Sequence, residues 1–225
     1  MSAPVPSRVE GRAGLDDRAA FVEIDQHVLR LFALISEGLG ATTTAFLDND
    51  RDAARAVVAA DRTIDDLESA VEELVHLELS SKPQVSQADL RRLVSVLLIV
   101  PELERSGDLV EHIALRTQQG MGGRISARAR GLVQQMGDVG VEMWRAAADA
   151  YADRDAYAAD RLRLLDDRLD DLHVTLSVEL AQSLTSAPVA IEMGLVARFL
   201  ERLGDHAVNV ARRLRDMCPP AEGRE

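Results

Sequence analysis

The sequence predicts an all-α protein: two similar three-helix bundles packed side by side. Three observations carry this. Apolar residues make up 47 % of the 225 residues but aromatics only 3 %, so the core is built mainly from Leu, Val, Ala and Ile. Long stretches place apolar residues at helical spacing. The second half of the chain then repeats the acidic and apolar pattern of the first.

The elements follow in order. Residues 1–15 read as a flexible leader with no apolar run of the kind a signal peptide carries. A first helix spans about Asp17 to Leu47, with Phe21, Ile24, Val28, Leu31, Phe32 and Ile35 on one face. DNDRD (48–52) supplies turn and N-cap chemistry. A second helix spans about Asp52 to Leu79, with Val57, Ile64, Leu67, Val71, Leu74 and Val75 on one face. Pro83 stops it, and Ser86 with Asp89 resembles a capping box. A third helix runs from about Gln87 to Gln119, and GMGGR (120–124) is the best linker. A fourth helix spans about Ile125 to Ala152. ADRD leads to a fifth, ending near Ser183. Ser186 and Pro188 begin a sixth, which Pro219–Pro220 ends after Met217. The first bundle is therefore 16–120, and the second, with a short C-terminal tail, 121–225.

The halves match in detail. AFLDNDRDAARAVVAADRTIDDL (45–67) aligns with AYADRDAYAADRLRLLDDRLDDL (150–172) at a constant offset of 105. LERSGD (103–108) aligns with LERLGD (200–205) at an offset of 97. The eight-residue difference is absorbed by a shorter helical pair and turn in the second half.

Composition narrows the function. A net charge of −12 repels nucleic-acid phosphates and anionic lipid, and favours cations or basic partner surfaces. The single cysteine, Cys218, forbids an internal disulfide and fits a reducing cytosol. LVSVLLIV (93–100) is far short of the roughly 20 residues needed to cross a bilayer. No phosphate-cradling Gly-rich loop, Ser/His/Asp grouping or Cys/His zinc spacing occurs.

The unusual feature is the pairing of acids with a mid-helix glycine. Glycine there costs about 1 kcal/mol relative to alanine, and like charges at i,i+4 repel by about 0.2–0.5 kcal/mol. Asp61–Asp65, Glu104–Asp108, Asp166–Asp170 and Glu201–Asp205 are four such pairs. Each half has one on its second helix and one on its third. If those helices are neighbours, four carboxylates face one another, a hard-oxygen set suited to a divalent or trivalent cation. Gly107 and Gly204 would keep the face low for a close neighbour or ion. For any single pair the alternative is a solvated face, with Arg105 or Arg202 as a surface ion-pair partner.

The duplicated plan, the two LER-x-GD helices and the D-x-x-x-D helices before them resemble the PhoU family of phosphate-signalling regulators. The resemblance covers about residues 16–217. It implies two side-by-side three-helix bundles and surface metal clusters, iron or zinc in some members, with manganese and magnesium as further candidates. By position the ligands would be Asp61, Asp65, Glu104 and Asp108 in the first half, and Asp166, Asp170, Glu201 and Asp205 in the second. It implies no catalysis. It implies an adaptor that lowers phosphate-starvation signalling by linking the ATPase subunit of the phosphate ABC transporter to a sensor histidine kinase, meeting the membrane only through them. A homodimer is compatible. The first half departs from the family pattern at Ser106, Leu109 and Glu111–His112. Pro101 predicts a kink or local widening that re-aims the first acidic pair.

A metal-buffering or di-metal redox bundle is the alternative reading. Glu73 and His76 form E-x-x-H, a di-iron spacing, but Glu73 has Val178 at its duplicated position. His76 then reads as a polar-face residue. His206 is either a peripheral ligand or, preferably, a structural or interface residue. Met136, Met143 and Trp144 read as core.

Overall fold

A computed structural model of the chain describes residues 10–81, 84–120, 122–183 and 186–218. Six helices account for most of it: α1 (Glu10–Asp48), α2 (Arg51–Ser81), α3 (Gln87–Thr117), α4 (Ala127–Asp153), α5 (Ala158–Gln182) and α6 (Ala187–Met217). The expected boundaries hold to within two or three residues, except at the start. There α1 begins at Glu10, so residues 10–15 of the expected leader are helical. The expected stops at Pro83 and Pro219–Pro220 lie outside the described residues, as do residues 1–9.

The helix ends show why the chain breaks where it does. The Ser86 hydroxyl accepts the Asp89 backbone N–H at 3.1 Å and donates to the Asp89 carboxylate at 2.6 Å. This satisfies an N–H that the first turn leaves without a helical partner. Asp50 accepts from the backbone of Asp52 and Ala53, both at 3.0 Å. Asn49 and Arg154 both take the left-handed conformation and end the first helix of each repeat. They lie 105 residues apart, so the duplication reaches into the turns.

Helices α1, α2 and α3 pack on one another, as do α4, α5 and α6; α1 lies against α4 and α3 against α6, leaving α2 and α5 outermost. The two bundles share one continuous apolar core. Phe32 of α1 sits 6.0 Å from the ring of Trp144 and 5.7 Å from that of Tyr151, both on α4. Met136, Met143 and Trp144 are fully enclosed, as expected.

The antiparallel α1–α4 seam is tied at both ends. Near the start of α1, Asp25 accepts from the Tyr151 hydroxyl at 2.8 Å, from Arg92 of α3 at 2.6 Å, and from Arg154. At the other end Arg130 donates to the carbonyls of Leu47 and Gly122. Asp25 and Arg130 occupy equivalent positions in the two repeats. The linker is docked: a side chain on Gly122 would meet the Phe46 carbonyl oxygen at 2.1 Å. Among the described residues, no helix is long and apolar enough to cross a membrane.

A single shared core predicts one cooperative unfolding step. Helical circular dichroism and Trp144 fluorescence should change together in urea, and two separated transitions would contradict the shared core. Phe32→Ala should lower the urea midpoint, at a cost of about 3–5 kcal/mol.

Candidate metal and docking face

The mid-helix glycines explain themselves once the helices are placed. In the first bundle, a Cβ on Gly107 of α3 would meet Ile64 of α2 at 2.8 Å and the Asp61 carboxylate at 3.5 Å. In the second, a Cβ on Gly204 of α6 would meet both the Asp166 carboxylate and Leu169 of α5 at 2.7 Å. Each glycine removes the side chain that would hold its neighbour away. The neighbouring helix comes close, and an acid of that helix settles over the gap.

All eight expected site residues fall on these two crossings. Asp61, Asp65, Glu104 and Asp108 share one neighbourhood on the α2–α3 face, and Asp166, Asp170, Glu201 and Asp205 share another on the α5–α6 face. Asp61, Glu104, Asp108 and Asp166 are half-buried, Glu201 is buried, and Asp65, Asp170 and Asp205 are exposed. Among the described residues, no group of three or more acidic, histidine or cysteine side chains is arranged to hold one ion. The acids are gathered without being closed into a ligand cage.

Their electrostatics are those of crowded carboxylates. Burial, aided by the charges of Glu111, Asp65, Asp108 and Glu104, pushes Asp61 up to about 6. Burial with Asp205, Asp170 and Glu201 does the same to Asp166. Glu104 and Glu201 are also raised, again mainly by burial. A raised carboxyl holds a proton because its charged form lacks water and compensating cations.

Two acids of the first face do not belong to the four recurring pairs. Glu68 of α2 is pushed up to about 6 by burial and by Glu104, Glu72, Asp65 and Asp108, and Glu111 of α3 presses on Asp61. Both continue the i,i+4,i+7 stripe, Glu68 after Asp61 and Asp65, Glu111 after Glu104 and Asp108. The period was readable, but the repeat hid it: the duplicated positions hold His173 and Val208.

Pro101 does not interrupt α3. α3 remains α-helical from Gln87 to Thr117 with Pro101 inside it, so no local widening occurs and the first four acids still gather. The consequence lies in charge. The position equivalent to Pro101 is Arg198, which forms an ion pair with Glu201. Proline offers Glu104 no such counter-ion. Arg105, expected as a neutraliser of the acid pair, makes its ion pair with Glu102 at 3.8 Å, and its charge partly offsets the rise at Glu104.

His206 is an interface residue. Its Nδ1 lies 2.6 Å from Glu102 Oε2 across the α3–α6 seam, and the Asn209 amide donates to the same oxygen at 3.3 Å. These hydrogen bonds, led by His206, hold the Glu102 carboxyl below the usual range. His76 and Glu73, the E-x-x-H of the di-metal alternative, are both exposed on α2.

Because Asp61, Glu68 and Asp166 bind protons more tightly folded than unfolded, their contribution favours the fold on the acid side and is lost as pH rises through about 6. For metal-free protein, thermal stability should therefore fall between pH 5 and pH 7.5. Asp166→Asn should recover about 1 kcal/mol at pH 7.5, a figure discounted for solvent screening, and the gain should shrink toward pH 4. A midpoint unchanged by Asp166→Asn at pH 7.5 would show the crowding to be harmless.

Comparison with known proteins agrees with this architecture. The family model for the PhoU domain matches twice, over residues 28–117 and 133–214. The phosphate-specific transport system accessory protein PhoU homolog 2 of Mycobacterium tuberculosis is 30 % identical over 195 residues, covering 85 % of this chain and 91 % of that protein. The PhoU homolog of Pseudomonas putida is 30 % identical over 197 residues, covering 86 % of this chain and 77 % of its own. The crystal structure of PhoU from Pseudomonas aeruginosa superposes with a TM-score of 0.81 at 27 % identity, over 89 % of this chain and 97 % of that one.

Proposed function

Because the chain belongs to the PhoU family, we propose that it is a regulatory adaptor of phosphate transport. It lowers phosphate-starvation signalling by coupling the ATPase subunit of a phosphate ABC transporter to the cytoplasmic region of a sensor histidine kinase. The observation that carries this is the duplicated acidic face. Both repeats set carboxylates of their outermost helix over a glycine of the next, on the outside of the molecule. The names of its relatives, phosphate-specific transport system accessory proteins, support a role in phosphate transport.

The mechanism is docking rather than catalysis. A cytoplasmic protein carrying −12 is drawn to basic partner surfaces, and the acidic faces concentrate that attraction. A hard cation suits the donor set, since carboxylates raised by burial and then by crowding are relieved when a positive charge joins them. In the first repeat Asp61, Asp65, Glu104 and Asp108 would hold it, and in the second Asp166, Asp170, Glu201 and Asp205. A bound cation would neutralise the face and so set which partner it favours.

The regulatory role is tested in a strain lacking the gene, read by a phosphate-starvation promoter reporter in phosphate-rich medium. Reporter output should rise on deletion, return to baseline with the wild-type gene, and stay high with Asp61→Ala, Asp108→Ala, Asp166→Ala and Asp205→Ala combined. A deletion strain with baseline output would remove the proposed role. For the metal, chelator-treated protein titrated with Mn²⁺ or Zn²⁺ should gain thermal stability, by about 2.7 kcal/mol for each occupied site at a hundredfold excess over Kd. The gain should be halved or lost in Asp166→Ala with Asp205→Ala.

A further inference from the structure

Beside the first acidic face lies a hollow that the duplication ought to have filled. It opens between α1, α2 and α3, encloses about 340 Å³, and is walled mainly by Leu34, Ile35, Val57, Ile64 and Val110. That volume is at the small end of the range for ligand sites. Gly38, Val57 and Ala60 line it, and their equivalents in the second repeat are Met143, Leu162 and Leu165. Met143 and Leu162 are fully enclosed, and Leu165 packs against the core. Met143 occupies the space beside Gly204, its terminal methyl 3.4 Å from where a Cβ would stand. One repeat thus carries three larger side chains where the other carries three smaller ones and a cavity.

The chemistry around the mouth is one-signed. Three carboxylates, Glu37, Asp61 and Glu111, border the hollow, and no arginine, lysine or histidine lines it. An apolar floor with an all-acidic rim is complementary to an apolar side chain that has a cation beside it. It is poorly matched to an acidic segment, and an uncharged one would leave the rim unanswered.

We infer that this hollow is the specificity socket of the docking face. It receives one aliphatic or aromatic side chain of a partner protein, with a partner Arg or Lys close by on the Glu37–Asp61–Glu111 rim. The inference rests on the adaptor reading and refines it. The acidic faces of both repeats attract, but only the first repeat can seat an anchoring side chain, so the partner binds this half in a defined orientation.

The second repeat supplies its own test. Ala60→Leu installs the residue that the duplicated position already carries. Ala60 is exposed and lies on a helix, so the fold should tolerate it. Val57→Leu does the same one turn away. Binding of the purified full-length protein to the ATPase subunit and to the kinase cytoplasmic region is measured by calorimetry, with thermal midpoints as a check on folding. Wild type should bind at least one of them. Ala60→Leu or Val57→Leu should weaken that binding about tenfold, while Leu165→Ala leaves it unchanged. Glu111→Gln should weaken it further at low salt than at high salt. If both filling variants bind as wild type, the socket assignment is overturned while the adaptor reading stands. If wild type binds neither partner, the adaptor reading fails and the socket falls with it. If 4-phenylbutylamine raises the wild-type midpoint but filling the hollow leaves partner binding intact, the hollow is a small-molecule site and the inference is wrong.

Discussion

The structure depends on two missing side chains. At Gly107 and Gly204 the absence of a Cβ lets the outermost helix of each repeat come close enough for Asp61 or Asp166 to lie over the backbone of its neighbour. The cost is carried twice: a flexible residue in a helix interior, and carboxylates drawn out of water. Neither cost helps a bundle that needs only to be stable. Both fit the docking role proposed above, which calls for concentrated negative charge at a fixed place.

Around that constraint the remainder of the fold is scaffolding. The α1–α4 and α3–α6 contacts merge two bundles into one core, and the polar ties sit at its margins: Asp25 with Tyr151, Arg92 and Arg154 at one end, Arg130 on the carbonyls of Leu47 and Gly122 at the other, and Glu102 with His206 across α3 and α6. Each tie sets a charged or polar group against a partner at the rim of an apolar interior, although Arg92 Nε and His206 Nε2 stay buried without a hydrogen-bond partner. The halves share an ancestry and have divided the polar work between them, with acid at Asp25 where the other repeat has base at Arg130.

Most of the fold was legible in the sequence, because helical periodicity, caps and duplication are all local or repeating signals. The Ser86–Asp89 cap and the DNDRD turn could be named from their residues, and the eight recurring acids fell where the repeat put them. What escaped was of another kind. Glu68 and Glu111 lack counterparts in the second half, so a search by repetition passes over them. Pro101 has a second effect beside its effect on the backbone, the loss of an arginine, and that loss is visible only against Arg198. The structural or interface role of His206 was legible, but its partner was not, since Glu102 lies 104 residues away. The merged core is a product of tertiary packing that no single helix announces.

The merged core has a consequence for how such a protein could carry information. Two lobes joined by a thin seam can hinge, and a hinge can relay a message by bending. Here Phe32 of one lobe is embedded among the rings of the other, and the connector is wedged against Phe46. A body built this way offers no thin seam at which to bend. On the adaptor role proposed above, a message would be carried by address, by which partner the protein is sitting on at a given moment.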